Sequence, residues 1–213
     1  MNRELAHRIF APHENIIFDF GGIFIDLDFN RTMDAFNKLG IEGDFSNVFS
    51  KVAQTQLFNQ FEIGVISKEE FLSQLRELLG LKNTSDQVLI NAWCVMILDL
   101  KQERVDFLEE IGKTKNIYLL SNINQIHEEY MDQYLIHNPQ YKDFYSHFDK
   151  VYFSHHIGLR KPNVEIFEFV CDDSSLDKSK TIFIDDSIQH VEAAKKFGLH
   201  THHLDPSNSF IVR

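Results

Sequence analysis

Four short apolar runs in this chain each end on polar residues able to do chemistry. Asp19 follows Asn15-Ile16-Ile17-Phe18, and Ser121-Asn122 follow Asn116-Ile117-Tyr118-Leu119-Leu120. Lys150-Val151-Tyr152-Phe153 leads through Ser154 to Lys161, and Thr181-Ile182-Phe183-Ile184 ends at Asp185-Asp186. If the runs are parallel strands, ligands bind at their carboxyl ends, where these residues sit. A carboxylate nucleophile, a hydroxyl beside an amide, an ammonium and a carboxylate pair would then meet at one rim. That inventory suits a phosphoryl group.

The positioning elements follow from pattern. The four runs read as buried strands, with a weaker fifth at 200–204. The last four are separated by segments of helical spacing, which implies parallel strands joined by right-handed crossovers. Before the fifth strand, Ser187 can cap a helix striped by Ile188, Val191, Ala194 and Phe197 and closed by Gly198. Nearly a hundred residues separate the first two strands, far more than a crossover needs. Within them Asn30 precedes a segment with Met33, Phe36 and Leu39 that ends at Gly40. Ser67 and Glu70 form a capping box ahead of Phe71, Leu72, Leu75, Leu78 and Leu79, closed by Gly80. The expected architecture is an α/β core over residues 1–28 and 103–213, with a helical cap inserted at 29–102.

The stretches IIFDFGGIFID from Ile16, YLLSNINQIH from Tyr118, SHHIGLRKP from Ser154 and FIDDS from Phe183, followed by VEAAKKFG, resemble the haloacid dehalogenase (HAD) superfamily. Within it they resemble the subgroup of α-D-glucose-1-phosphate phosphatase-like enzymes. The motifs stand in the family's order and span the core. The resemblance implies a HAD-like, Rossmann-like parallel sheet and a Mg²⁺-dependent phosphatase working through an aspartyl-phosphate. It assigns Asp19 as nucleophile, and Asp19, the Gly21 carbonyl and Asp186 as metal ligands, an oxygen set that suits Mg²⁺. Ser121 and Asn122, by backbone or amide, become phosphate donors. Lys161 becomes the cation that stabilises the transferring group, with Asp185 in support.

One departure matters. Phosphatases of this superfamily usually carry a second Asp two residues after the nucleophile, where this chain has Gly21, so the usual general acid is missing. A good leaving group would need less acid help, and a sugar 1-phosphate offers one. A second departure is His190, which is assigned a supporting structural role. Two other enzymes compete. A 2-haloacid dehalogenase also uses a lone carboxylate nucleophile but lacks the Asp-Asp pair, and a phosphomutase needs a proton shuttle at position 21. A catalytically silent relative that binds a phosphorylated ligand or a protein is the third alternative.

Other polar residues read blandly. Asp26 and Asp28 fix a turn, Asp172-Asp173 open a solvated loop, and Arg160 forms a salt bridge or lies at the surface. His155-His156 and His200, His202 and His203 read as sheet-edge histidines. His127 either supports the Ser121 loop or lies on a helix surface. Phe58, Phe61 and Glu62 are the cap candidates for touching substrate, although aromatic residues in a helical cap are more often core. Over 213 residues, 21 Lys+Arg stand against 32 Asp+Glu for a net charge of −11, which argues against a nucleic-acid or anionic-membrane surface. Cys94 and Cys171 form no CxxC or Cys/His cluster and read as buried thiols. The chain is expected to be cytoplasmic, a monomer or weak dimer, acting on a small phosphorylated metabolite.

Overall fold

The computed structural model describes residues 3–41 and 56–204. In chain order its strands are β1 (Asn15–Phe18), β2 (Ile25–Leu27), β3 (Ile97–Leu100), β4 (Asn116–Ser121), β5 (Lys150–Phe153), β6 (Thr181–Asp185) and β7 (His200–His203). The helices are α1 (Arg3–Phe10), α2 (Phe29–Lys38), α3 (Leu57–Glu62), α4 (Lys68–Leu78), α5 (Asp86–Cys94), α6 (Gln102–Gly112), α7 (Gln125–His137), α8 (Ser154–Ile157), α9 (Val164–Asp173) and α10 (Ile188–Phe197). Five strands form a wholly parallel sheet in the order β5-β4-β1-β6-β7. This is the layered α/β core that the strand runs predict.

Alternation of side chains along each strand divides the core into two layers. Ile16 and Phe18, Ile117 and Leu119, and Ile182 and Ile184 face one apolar cluster with Phe10, Phe24 and Leu108. Their alternates Ile17, Tyr118, Leu120 and Phe183 face a second, with Ile166, Phe167, Val170 and Ala194. The chain's 20 phenylalanines partly explain the first layer: Phe24 meets Phe18, Phe144 and Phe148 edge-on with centroids 5.3, 5.6 and 5.7 Å away.

Between β2 and β3 the described residues are largely helical and hold their own apolar cluster, including Phe36, Leu57, Phe61, Phe71, Leu75, Leu89 and Trp93. Its entrance is an antiparallel ribbon, β2 against β3, which the apolar pattern does not predict. Ser67 caps α4 as expected, accepting from the Glu70 N–H at 3.2 Å. α2 is capped by Asp28, whose carboxylate accepts from the Asn30 N–H at 3.1 Å. Ser187 stands at the N-cap of α10 and Gly198 ends that helix with φ +106°, but Ile188 of its expected stripe is 49% exposed. Asp172-Asp173 end α9 rather than lying in a loop, and the Asp173 carboxylate accepts from the Tyr152 hydroxyl at 2.7 Å. Cys94 and Cys171 are buried and free. No helix among the described residues is long and apolar enough to cross a membrane.

Candidate active site

In the sheet register Phe18 lies beside Leu119 and Ile184, so Asp19, Ser121 and Asp185 leave their strands at one rim. All three are buried. Lys161 comes to the same point from the loop after α8 and has no exposed surface. Its Nζ donates to Asp19 Oδ1 at 2.7 Å, to Asp185 Oδ2 at 2.8 Å and to the Leu120 carbonyl at 2.8 Å. An ammonium has three protons, and all three are engaged.

The main chain of Lys161 is clamped in turn by Asn122, which donates from Nδ2 to the Lys161 carbonyl and accepts at Oδ1 from the Lys161 N–H, both at 2.9 Å. The Asn122 amide, one of its two expected donors to phosphate, is therefore turned to Lys161. Asp185 is equally committed. Besides Lys161 it accepts from the Ser187 N–H at 2.7 Å and faces His190 Nδ1 at 2.9 and 3.1 Å.

These contacts separate the two carboxyls electrostatically. Burial pushes Asp19 above the usual carboxylate range, Lys161 opposes the shift, and the Asp185 charge adds to it. Burial pushes Asp185 the same way, but Lys161 and His190 more than offset it and hold it low. Desolvation acts to lower the Lys161 pKa, yet the two carboxylates keep it above the ordinary lysine value.

Asp186 is exposed at the rim, and one carboxylate oxygen each of Asp19, Asp185 and Asp186 lie within 4.8 Å of one another. Gly22 makes room for this arrangement. It sits at φ +71°, and a Cβ there would stand 2.1 Å from Asp186 Oδ2. A cradle of hard carboxylate oxygens that a single methyl group would fill fits a small dication such as Mg²⁺. At Gly21 a Cβ would meet Leu27 Cδ1 at 2.8 Å, so a cavity-wall leucine fills the place of the absent acidic side chain.

From Gly21 and Ser121 a cavity of about 460 Å³ runs up between the sheet rim and the helices of the insertion. Phe58, Phe61 and Glu62, singled out in the sequence, line it. Thr32, Met33, Trp93 and Met96, which the sequence did not single out, also line it. Glu62 is ion-paired with Arg160 at 2.5 Å, and Arg160 also donates to Asn59 Oδ1 at 2.8 Å. Burial raises the Glu62 carboxyl against the pull of Arg160. Ser154, fully buried, donates to the Glu62 carbonyl at 2.6 Å and accepts from the Ile123 N–H at 3.0 Å. One hydroxyl thus joins the helical insertion to the loop that follows Ser121.

The remaining polar residues sort differently. Asp26 pairs with Arg104 and Lys101, both at 2.7 Å; burial raises its pKa, but the two cations bring it below normal. His127 supports the loop that follows Ser121, as one of its two readings has it, rather than lying free on the helix surface. It lines the cavity, with Nε2 donating to the Trp93 carbonyl and Nδ1 accepting from Asn124 Nδ2, each at 3.3 Å. Desolvation lowers its pKa to about 4. His155 and His156 are not on a sheet edge but in the single turn of α8, where their Nε2 atoms lie 2.8 and 3.0 Å from Glu128. His200, His202 and His203 do lie on the edge strand β7.

Residues 13–198 match the haloacid dehalogenase-like hydrolase family. The chain belongs to that family. A HAD-like hydrolase of this length is similar, at 32% identity over 88% of this chain and 90% of the relative, to the D-ribitol-5-phosphate phosphatase of Bacteroides thetaiotaomicron. It is similar at 26% identity, over 90% of this chain and 89% of the relative, to the sesquiterpene phosphatase astK of Aspergillus oryzae. A HAD family enzyme of Bacteroides thetaiotaomicron, solved in complex with magnesium and inorganic phosphate, superimposes with a TM-score of 0.80 at 30% identity, covering 93% of this chain and 97% of that one.

Proposed function

We propose that this HAD-like hydrolase is a Mg²⁺-dependent phosphatase that cleaves a small phosphorylated metabolite through an aspartyl-phosphate at Asp19. The observation that carries the reading is Lys161, held by hydrogen bonds to Asp19, Asp185 and the Leu120 carbonyl. Asp19 attacks phosphorus, the bond from phosphorus to the leaving oxygen breaks, and water then attacks the acyl phosphate to release inorganic phosphate and the free carboxylate. Lys161 orients the nucleophile and supplies positive charge as the phosphoryl group transfers. Asn122 and Asp185 are its positioning residues, and Ser121 donates to a phosphate oxygen. Asp19, the Gly21 carbonyl and Asp186 would hold Mg²⁺. A bound dication supplies the positive charge that keeps Asp19 ionised beside an anionic phosphate. The insertion at 29–102 serves as a cap that excludes bulk water.

With no acidic side chain at position 21, the leaving oxygen takes its proton from solvent, and a stable leaving group is favoured. A sugar 1-phosphate meets that condition. Relatives named for ribitol 5-phosphate and for sesquiterpenes support only the coarser class of phosphorylated small molecules. The test is a panel of phosphate esters with Mg²⁺, with and without chelator, run beside 2-haloacids. Chelator-sensitive phosphate release that vanishes in a folded Asp19→Asn variant is expected. Halide release would favour the dehalogenase, and binding of phosphate esters without turnover would favour the silent relative. Strong preference for sugar 6-phosphates over 1-phosphates would remove the leaving-group reasoning.

A further inference from the structure

The cavity above the phosphate end is a ligand-sized chamber whose walls offer little to a hydroxyl-rich substrate. Its volume of about 460 Å³ falls within the range of small-molecule sites. Phe29, Met33, Phe58, Trp93, Met96 and Ile97 are among its lining residues, and Phe58 stacks on Trp93 at 5.2 Å with planes 7° apart. Several of the polar wall groups are turned on one another. The Thr32 hydroxyl donates to the Trp93 carbonyl at 3.3 Å, His127 is engaged at both ring nitrogens, and Arg160 is tied to Glu62 and Asn59. The Trp93 indole N–H has no partner among the described residues, but it is a single donor. At the mouth Phe29 is 63% exposed, an aromatic surface left for a ligand to cover.

We infer that the preferred substrate is the phosphate monoester of an apolar alcohol or phenol, with its hydrocarbon body in this chamber, so that between esters of equally stable leaving oxygens the apolar one is preferred to a sugar 1-phosphate. The inference rests on the phosphatase reading for the phosphate end and on the chamber for the rest. A polyol entering here would leave hydroxyls without partners, which costs roughly tenfold or more for each. A hydrocarbon gains about fourfold for each methylene buried. An apolar phenol also provides the stable leaving oxygen that the missing acid at position 21 calls for.

The test uses the full chain with Mg²⁺ and the straight-chain alkyl phosphates from methyl to octyl, with phenyl phosphate and ribitol 5-phosphate alongside. The expected result is a kcat/KM that climbs about fourfold per methylene until the chamber fills, with pentyl phosphate exceeding ribitol 5-phosphate by at least tenfold. A flat series, or ribitol 5-phosphate ahead of pentyl phosphate, overturns the inference. Trp93 is the chain's only tryptophan and lines the chamber, so its emission reports occupancy without turnover. If no ester is hydrolysed, the phosphatase reading fails by itself. Titration with octylphosphonate against methylphosphonate then decides the inference: a Trp93 shift with the octyl compound alone sustains it, and equal responses or none overturn it.

Discussion

Gly22→Ala separates the cost of backbone strain from the cost of filling the carboxylate cradle. Gly22 lies at φ +71°, where an L residue is strained by about 1–2 kcal/mol. Loss of glycine's freedom in the unfolded chain returns about 0.4–1 kcal/mol, so a net destabilisation near 1 kcal/mol is expected. The new methyl would also stand 2.1 Å from Asp186 Oδ2 and 2.5 Å from its Cγ, closer than any van der Waals contact. Relieving this clash displaces the exposed Asp186 carboxylate from the cradle, so the change falls on metal binding. The matched control is Gly80→Ala: Gly80 has φ +69° and nothing within 4 Å of its would-be Cβ. Urea denaturation should show both variants about 1 kcal/mol less stable than wild type. Calorimetric titration with Mg²⁺ should show affinity reduced at least 10- to 100-fold in Gly22→Ala and unchanged in Gly80→Ala. Wild-type Mg²⁺ affinity in Gly22→Ala, or an equal loss in Gly80→Ala, would refute the cradle.

Two further changes probe the supports. Asn122→Ala leaves the Lys161 N–H and carbonyl without the two bonds that fix them; a stability loss of about 2 kcal/mol and a fall in kcat of roughly 10- to 100-fold are expected, by denaturation and steady-state kinetics. Unchanged kcat would remove Asn122 as a positioning residue. His127 is neutral in the folded chain with a pKa near 4, below the ordinary 6.5, so between these values the unfolded chain binds the extra proton. Stability should therefore fall as pH drops from about 6.5 to 4. The full shift corresponds to about 3 kcal/mol, and the partial exposure of His127 trims this to about 1–2 kcal/mol. A His127→Gln variant should lose that part of the pH dependence, and an identical profile would show that His127 does not titrate across the window.

The core was legible because its strands are buried on both faces: Asn15–Phe18 and Thr181–Asp185 are unbroken buried runs, and each ends where a polar residue must meet the rim. The ribbon of Ile25–Leu27 and Ile97–Leu100 was not, since each segment is short and interrupted by Asp26 or Asp99, and Ile97-Leu98 only continue an apolar stretch, 92–98, that begins in α5. Asp28 was legible only as a turn residue, and it becomes the N-cap because the helix begins at Phe29. His155 and His156 leave the strand because Ser154 turns the chain there, through contacts with Ile123 and Glu62 that are remote in sequence. The same remoteness hid the pairing of Asn122 with Lys161 and the closure of the cavity's polar groups on each other.

Reductive trapping tests the nucleophile most directly. An acyl phosphate at Asp19 is reduced by borohydride to a homoserine, which peptide mass spectrometry locates. When a hydrolysed ester and Mg²⁺ are present during trapping, homoserine should appear at position 19 and disappear with chelator. Steady turnover with position 19 unmodified, or with the label on another carboxylate, would contradict the account.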